Sequence, residues 1–197
     1  LELSETLGKI EMQLAESPVK LVSVECFGNI EDSKPIALSF LIGLFHDMTD
    51  NRINFVNAGV IAEERGISFS HSLNTEPVSF ANLIVAHIET EEGTIEVAGS
   101  VFGDQHPRIV DVMGYEVDVR PEGNMLFVQN KDVPGVIGKV GMLLGERNIN
   151  IAEYLLSRTP NNDSAYSVIK FDGEINDKLL ETLKQVDEIL SVKQLHV

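Results

Sequence analysis

The stretch VQNKDVPGVIGKVGMLLGERNINIA, residues 128–152, decides how this chain is read. Its first residues complete an apolar strand, NMLFVQN at 124–130, and KDVPG at 131–135 breaks the pattern as a loop. VIGKVGMLLGERN then repeats apolar residues at helical spacing, and INIAEYLLSRT at 149–159 returns to a strand. Pro134 suits the first turn of the helix, where its missing N–H is not needed. The amides from Gly135 onward are then free donors at the positive end of a helix, which is a ready site for a carboxylate. Asn130 and Asp132 offer oxygens beside it, and Asn150 adds a polar group at the start of the next strand. Donors for a carboxylate next to acceptors for an ammonium suit an α-amino acid. The spacing alone fits equally well a plain helix cap at Asp132 and a plain chain turn at Asn150.

The same helix has two faces. Val136, Ile137, Val140, Leu143 and Leu144 fall together and are expected to cover a sheet. Gly138, Gly141 and Gly145 fall on the opposite face. Each costs about 1 kcal/mol relative to Ala in a helix interior, so three together suggest close approach by another backbone or a ligand. A second copy of the chain is the natural candidate, with tolerated flexibility as the alternative.

Downstream, TPNND at 159–163 reads as a turn and SAYSVIKFDG at 164–173 as the partner strand. NDKLLETLKQV at 176–186 reads as a helix capped by Asn176, and ILSVKQLHV at 189–197 as a final strand. The order from 124 to the end is βαββαβ, the ferredoxin-like arrangement. Upstream, RPEGN at 120–124 interrupts the pattern and is the linker candidate. Before it, LELSETLGKIEMQLAE reads as an amphipathic helix, KLVSVECFG as a strand, and Ser33 as the cap of a helix carrying Pro35 in its first turn. INFVNAG at 53–59 reads as a short strand, AGVIAEERG as a helix closed by Gly66, and ISFSHSL, ANLIVAHIET, TIEVAGSVFG and RIVDVMG as four more strands. EEG at 91–93 suits a hairpin turn. The expected class is therefore mixed α/β (α+β), an N-terminal unit over 1–120 and a ferredoxin-like unit over 124–197.

Composition narrows the function. With 197 residues, 43% of them hydrophobic, the chain can bury the cores of two small domains. A net charge of −16 with only 15 Lys and Arg argues against nucleic acid and against an anionic membrane surface. Cys26, the lone cysteine, cannot form an internal disulfide and reads as a buried strand residue. No apolar run approaches the roughly 18 residues of a membrane span, and a cytoplasmic location is expected. The chain opens inside a helix, without Met, and so reads as a piece of something longer.

DVPGVIGKVGMLLGERNINIA resembles an ACT domain, a module that binds amino acids and regulates metabolic enzymes. NFVNAGVIAEERGI, VAGSVFG and PRIVDVMGYEVDVRPEGNML precede it in the order seen at the C-terminal end of long-form bacterial D-3-phosphoglycerate dehydrogenases. The resemblance covers essentially the whole chain. It implies an intervening, allosteric substrate-binding domain over 1–120, led by a helix from an upstream domain, and an ACT domain over 124–197. It implies a parent that uses NAD to oxidise 3-phosphoglycerate at the entry to L-serine synthesis. L-serine would inhibit it by binding at an interface between ACT domains of a homo-oligomer. By position, the serine contacts would fall on Asn130, Asp132 and the Pro134–Gly135 turn, with Asn150 contributed by the neighbouring subunit. Arg108 and Arg120 match basic residues that hold phosphate or a phosphorylated substrate in some relatives. Surface ion pairs are the alternative for both.

The chain itself is not expected to catalyse. A dinucleotide fold needs GxGxxG after a strand, and the glycines at 135, 138 and 141 have the wrong spacing and lie in a helix. His46, His71, His87, His106 and His196 are scattered without metal-type spacing. No catalytic residue, metal ligand or cofactor is therefore assigned to the chain, NAD belonging to the implied parent. Two other readings are the regulatory portion of a bacterial L-serine dehydratase and a free-standing amino-acid sensor.

Overall fold

The structure, a computed structural model, describes residues 1–48, 52–76, 78–103, 106–159 and 163–197. The chain divides into two compact units, Leu1–Met113 and Gly114–Val197. Among the described residues no helix is long and apolar enough to cross a membrane.

In the first unit, Leu3, Leu7, Ile10 and Leu14 form one stripe of α1 (Glu2–Leu14), and all four are buried. The leading helix is thus part of this unit's core. It lies across α2 (Ser33–Leu44) without a side-chain layer at two points. A methyl group on Gly8 would land on the carbonyl oxygen of Phe40, and one on Gly43 would land on that of Glu5. Below the helices, β1 (Leu21–Gly28) pairs in parallel with β2 (Ser68–Asn74) and antiparallel with β3 (Asn82–Glu89). β4 (Thr94–Phe102) and β5 (His106–Val112) extend it, in the order β2-β1-β3-β4-β5. Val22, Val24 and Cys26 of β1 alternate into the core as a half-buried strand requires. The 91–93 turn joins β3 to β4 as expected, with Gly93 at φ +140°.

Three local expectations are corrected. INFVNAG is not a strand: residues 55–57 turn into α3 (Ala58–Glu64). Two asparagines cause this. Asn54 Oδ1 accepts from the Val56 and Asn57 amides, and Asn57 Oδ1 accepts from the Asn54 amide. The cap of α2 is Asp32, whose carboxylate accepts from the Lys34 amide at 2.9 Å. Ser33 is the first helical residue, and its Oγ lies 2.9 Å from Nδ1 of His71. Finally, β6 (Tyr115–Val119) is an additional strand, not among those expected, and follows a tight turn with Met113 and Gly114 both at positive φ.

The second unit has the expected order: β7 (Asn124–Lys131), α4 (Val136–Gly145), β8 (Asn150–Arg158), β9 (Ser164–Asp172), α5 (Asp177–Lys184) and β10 (Ile189–His196). Its antiparallel sheet runs β10-β7-β9-β8, the ferredoxin-like strand order. Asn176 caps α5 by accepting from the Leu179 amide. Val136, Val140 and Leu144 of α4 and Leu179 and Leu183 of α5 pack on Leu126, Val128, Ile169 and Phe171 of the sheet. β6 groups with this unit, because the Tyr115 ring stacks on Tyr166 at 5.2 Å and its hydroxyl bonds the Ser164 hydroxyl. The expected linker at 120–124 therefore lies inside the second unit, where Gly123 exchanges backbone hydrogen bonds with Val197. Most of the 159–163 turn lies outside the described residues.

Candidate functional site

The end of β7, the loop after it, the start of α4 and the end of β8 enclose a cavity of about 400 Å³ in the second unit. Sheet register explains the meeting. Asn130 of β7 and Arg158 of β8 both pair with Ala165 on β9, so they share one row and one face of the sheet. Val128 and Leu126, at the same parity as Asn130, lie under the helices. The row of Asn130 and Arg158 is thus the last on the helix-covered face, beside the N-terminus of α4.

Gly135 makes the turn into that helix. It is the N-cap, at φ +97°, a conformation that favours glycine. Pro134 lies one residue before the cap rather than in the first turn, because this inversion at Gly135 separates it from the helix. The first intrahelical bond runs from the Lys139 N–H to the Gly135 carbonyl. The amides of Val136, Ile137 and Gly138 precede that ladder at the positive end of the dipole.

Three polar side chains face the cavity. Asn130 is 4% exposed, and its Nδ2 donates to the Lys131 carbonyl at 2.7 Å. Its Oδ1 has no hydrogen-bond partner among the described residues. Asp132 is held in place by its own amide, which donates to the Asp163 carbonyl at 2.8 Å. Its Oδ1 lies 3.2 Å from Nε of Arg158. Val133, Pro134, Ile137 and Leu156 supply an apolar wall. Ile137 is 49% exposed and borders the cavity, so it does not join the sheet-covering face of α4 as expected. Ile137 lies only about 20° around the helix from buried Leu144, so its exposure comes from its place in the first turn, beside the cavity, rather than from its face. Gly138, Gly141 and Gly145 do face outward, and a methyl on any of them would meet nothing within 4 Å.

Of the residues singled out in the sequence, Asn130, Asp132, Pro134 and Gly135 line this one cavity, and Asn150 does not. Asn150 begins β8, eight residues before Arg158, about 25 Å along the strand. Its Nδ2 donates to Asp172 at 2.9 Å. Arg158 and Leu156 are the additions. Their signal is the register itself: a ferredoxin-like sheet puts the end of the second strand level with the end of the first. Arg108 belongs to the first unit and Arg120 to the second. Arg120 Nε lies 3.0 Å from Glu122, and Lys170 Nζ reaches the same carboxylate at 3.1 Å. Two cations thus share one anion. Among the described residues no group of three or more His, Cys, Asp or Glu could hold a metal.

The comparisons agree with this architecture. Residues 1–113 match the family model for the D-3-phosphoglycerate dehydrogenase intervening domain, and residues 124–188 match that for the ACT domain. A D-3-phosphoglycerate dehydrogenase of Bacillus subtilis is 31% identical over 98% of the chain, which covers 37% of that protein. Those of Synechocystis sp. and Archaeoglobus fulgidus are each 30% identical, over 94% and 96% of the chain, which covers 34% and 37% of them. The chain thus spans about a third of the length of the curated relatives it matches. With the intervening-domain model matched over more than half of its residues and the ACT model over most of the rest, the chain belongs to the D-3-phosphoglycerate dehydrogenase family, of which it carries the intervening and ACT domains.

Proposed function

We propose that this chain is the regulatory C-terminal part of a cytoplasmic, NAD-dependent D-3-phosphoglycerate dehydrogenase and that it binds L-serine as a feedback inhibitor. The single observation that carries the reading is the cavity at the start of α4. There a carboxylate, a guanidinium, helix N-terminal amides and the unpartnered Oδ1 of Asn130 border space ample for a small zwitterion. Asp132 takes the ammonium, and Asn130 and the Pro134–Gly135 turn border the rest. Asn150, remote within one chain, reaches the site from a second copy docked along the bare glycine face of α4. A site shared between copies links ligand binding to subunit geometry, which is how a distant active site is inhibited.

Calorimetry with L-serine on the wild-type chain, Asp132→Ala and Asn150→Ala tests this. Asp132→Ala is expected to weaken binding by about 1.5–3 kcal/mol, the range for a hydrogen bond to a charged group. Equal affinities in all three proteins, or a wild-type chain that stays monomeric by light scattering at high concentration, would overturn it. Arg108, in the first unit, and Arg120, in the second, are each proposed as a contact for phosphate or a phosphorylated substrate, with Lys170 beside Arg120 adding positive charge. Phosphate binding unchanged in Arg108→Gln and in Arg120→Gln would remove these assignments.

A further inference from the structure

Asp132 is already engaged in the structure, by Arg158. The two come from different sides of the cavity, Asp132 from the loop after β7 and Arg158 from the last position of β8. Their side chains are 30% and 65% exposed. Such solvent-screened pairs contribute little to stability, so parting them costs little. A ligand whose ammonium is to reach Asp132 must displace Arg158. Displacement leaves a guanidinium at the rim of the cavity that has just been filled.

The chemistry of that exchange selects the ligand. An amine alone satisfies Asp132 and leaves Arg158 without its anion. A carboxylate alone satisfies Arg158 and leaves Asp132 without its cation. A molecule carrying both charges on one carbon replaces a single ion pair with two. Oδ1 of Asn130, 96% of whose residue surface is buried, then accepts from the ammonium or from a hydroxyl. Val133, Ile137 and Leu156 meet the side chain and exclude a charged one.

We propose that Arg158 is the specificity-determining residue of this pocket, its guanidinium taking the ligand's α-carboxylate once the ammonium has displaced it from Asp132. This rests on reading the cavity as an amino-acid site. The amides at the start of α4 are the competing carboxylate anchor, and the two assignments differ in what the loss of Arg158 does to selectivity.

The experiment measures the affinity of the wild-type chain and of Arg158→Gln for L-serine and for L-serine amide, which keeps the ammonium and hydroxyl but lacks the carboxylate. It is run at mildly acidic pH, where both ligands carry the ammonium. Wild type is expected to prefer L-serine by about tenfold or more, the equivalent of a charge-assisted hydrogen bond. Arg158→Gln is expected to bind the two nearly equally, losing affinity for L-serine and little for the amide. If Arg158→Gln keeps the wild-type preference, the helix amides hold the carboxylate and the assignment is wrong, while the amino-acid site stands. If both ligands weaken by one factor, Arg158 only shapes the cavity and the assignment is equally wrong. If the wild-type chain binds neither ligand, the underlying reading of the site falls, and the role of Arg158 with it.

Discussion

The carboxyl of Glu11, on α1, accepts the backbone amide of Val97, on β4, at 3.2 Å. Glu11 is fully buried, and its Oε2 has no partner among the described residues. Val97 sits next to the register shift at Ala98 and Gly99, where β4 and β5 fall out of step. Burial holds the Glu11 carboxyl well above the usual carboxylate range; the Val97 bond opposes this, and Glu96 adds to it. A carboxyl whose pKa is raised by folding favours the folded state fully at low pH. That contribution is lost as pH rises through the folded value. Glu11→Gln keeps an acceptor for Val97 and cannot ionise. Below about pH 4.5 the variant and wild type are expected to melt together. Above it, wild type declines and the variant does not, so the variant melts higher at neutral pH by about 2–4 °C for each kcal/mol gained. Melting curves that run parallel across the range would disprove the buried carboxyl's role.

Glycine substitutions should split into two opposite classes. Gly8→Ala and Gly43→Ala each drive a methyl into a neighbouring backbone carbonyl. Both are expected to cost about 3 kcal/mol, the upper range for overpacking. Gly138→Ala fills open space on a helix, and is expected to stabilise the chain by about 1 kcal/mol. The same change should weaken self-association if a second copy docks on that face. Urea unfolding read alongside concentration-dependent light scattering checks both parts.

Cys26 should be inert in the folded protein. It is fully buried on β1, and burial, with Asp32 adding to the effect, pushes its thiol up to about 11. At neutral pH a thiol-reactive dye should label it only on global unfolding. Labelling of the native chain at the rate of a free thiol would contradict the packing of β1.

Tyr115 sets where the second folding unit begins. Fragment 114–197 keeps its stacking on Tyr166 and its bond to Ser164, and fragment 124–197 loses both. The longer fragment should be the more stable, by about 2 kcal/mol for the lost aromatic contact and buried hydrogen bond. Equal stability would put the start of the unit at 124.

From β7 onward the second unit is legible in the sequence, because each of those elements is announced locally. KDVPG stops a strand, apolar spacing of 3–4 residues runs from Val136 to Leu144, and Asn176 caps a helix. What escapes notice depends on distance along the chain. Arg158 enters the cavity because Ala165 pairs with both it and Asn130, a fact of register rather than of any motif. INFVNAG reads as a strand from its sequence, and the side-chain bonds of Asn54 and Asn57 to the neighbouring backbone turn it into a helix entry. β6 hides because Met113 takes a positive φ, which no local rule assigns to a long unbranched side chain. Ile137 is misplaced for a related reason: helical spacing separates apolar from polar positions, and the cavity wall is itself apolar.

The crossing of α1 and α2 has a mechanical meaning. Where helices meet through side chains, rotamer changes absorb small displacements. At Gly8 and Gly43 peptide rests on peptide, with no side chain between to yield. A push or twist delivered to α1 therefore reaches α2 undamped, and through it the Asp32 turn at the other end of that helix. The two helices act as one rigid lever laid across the sheet.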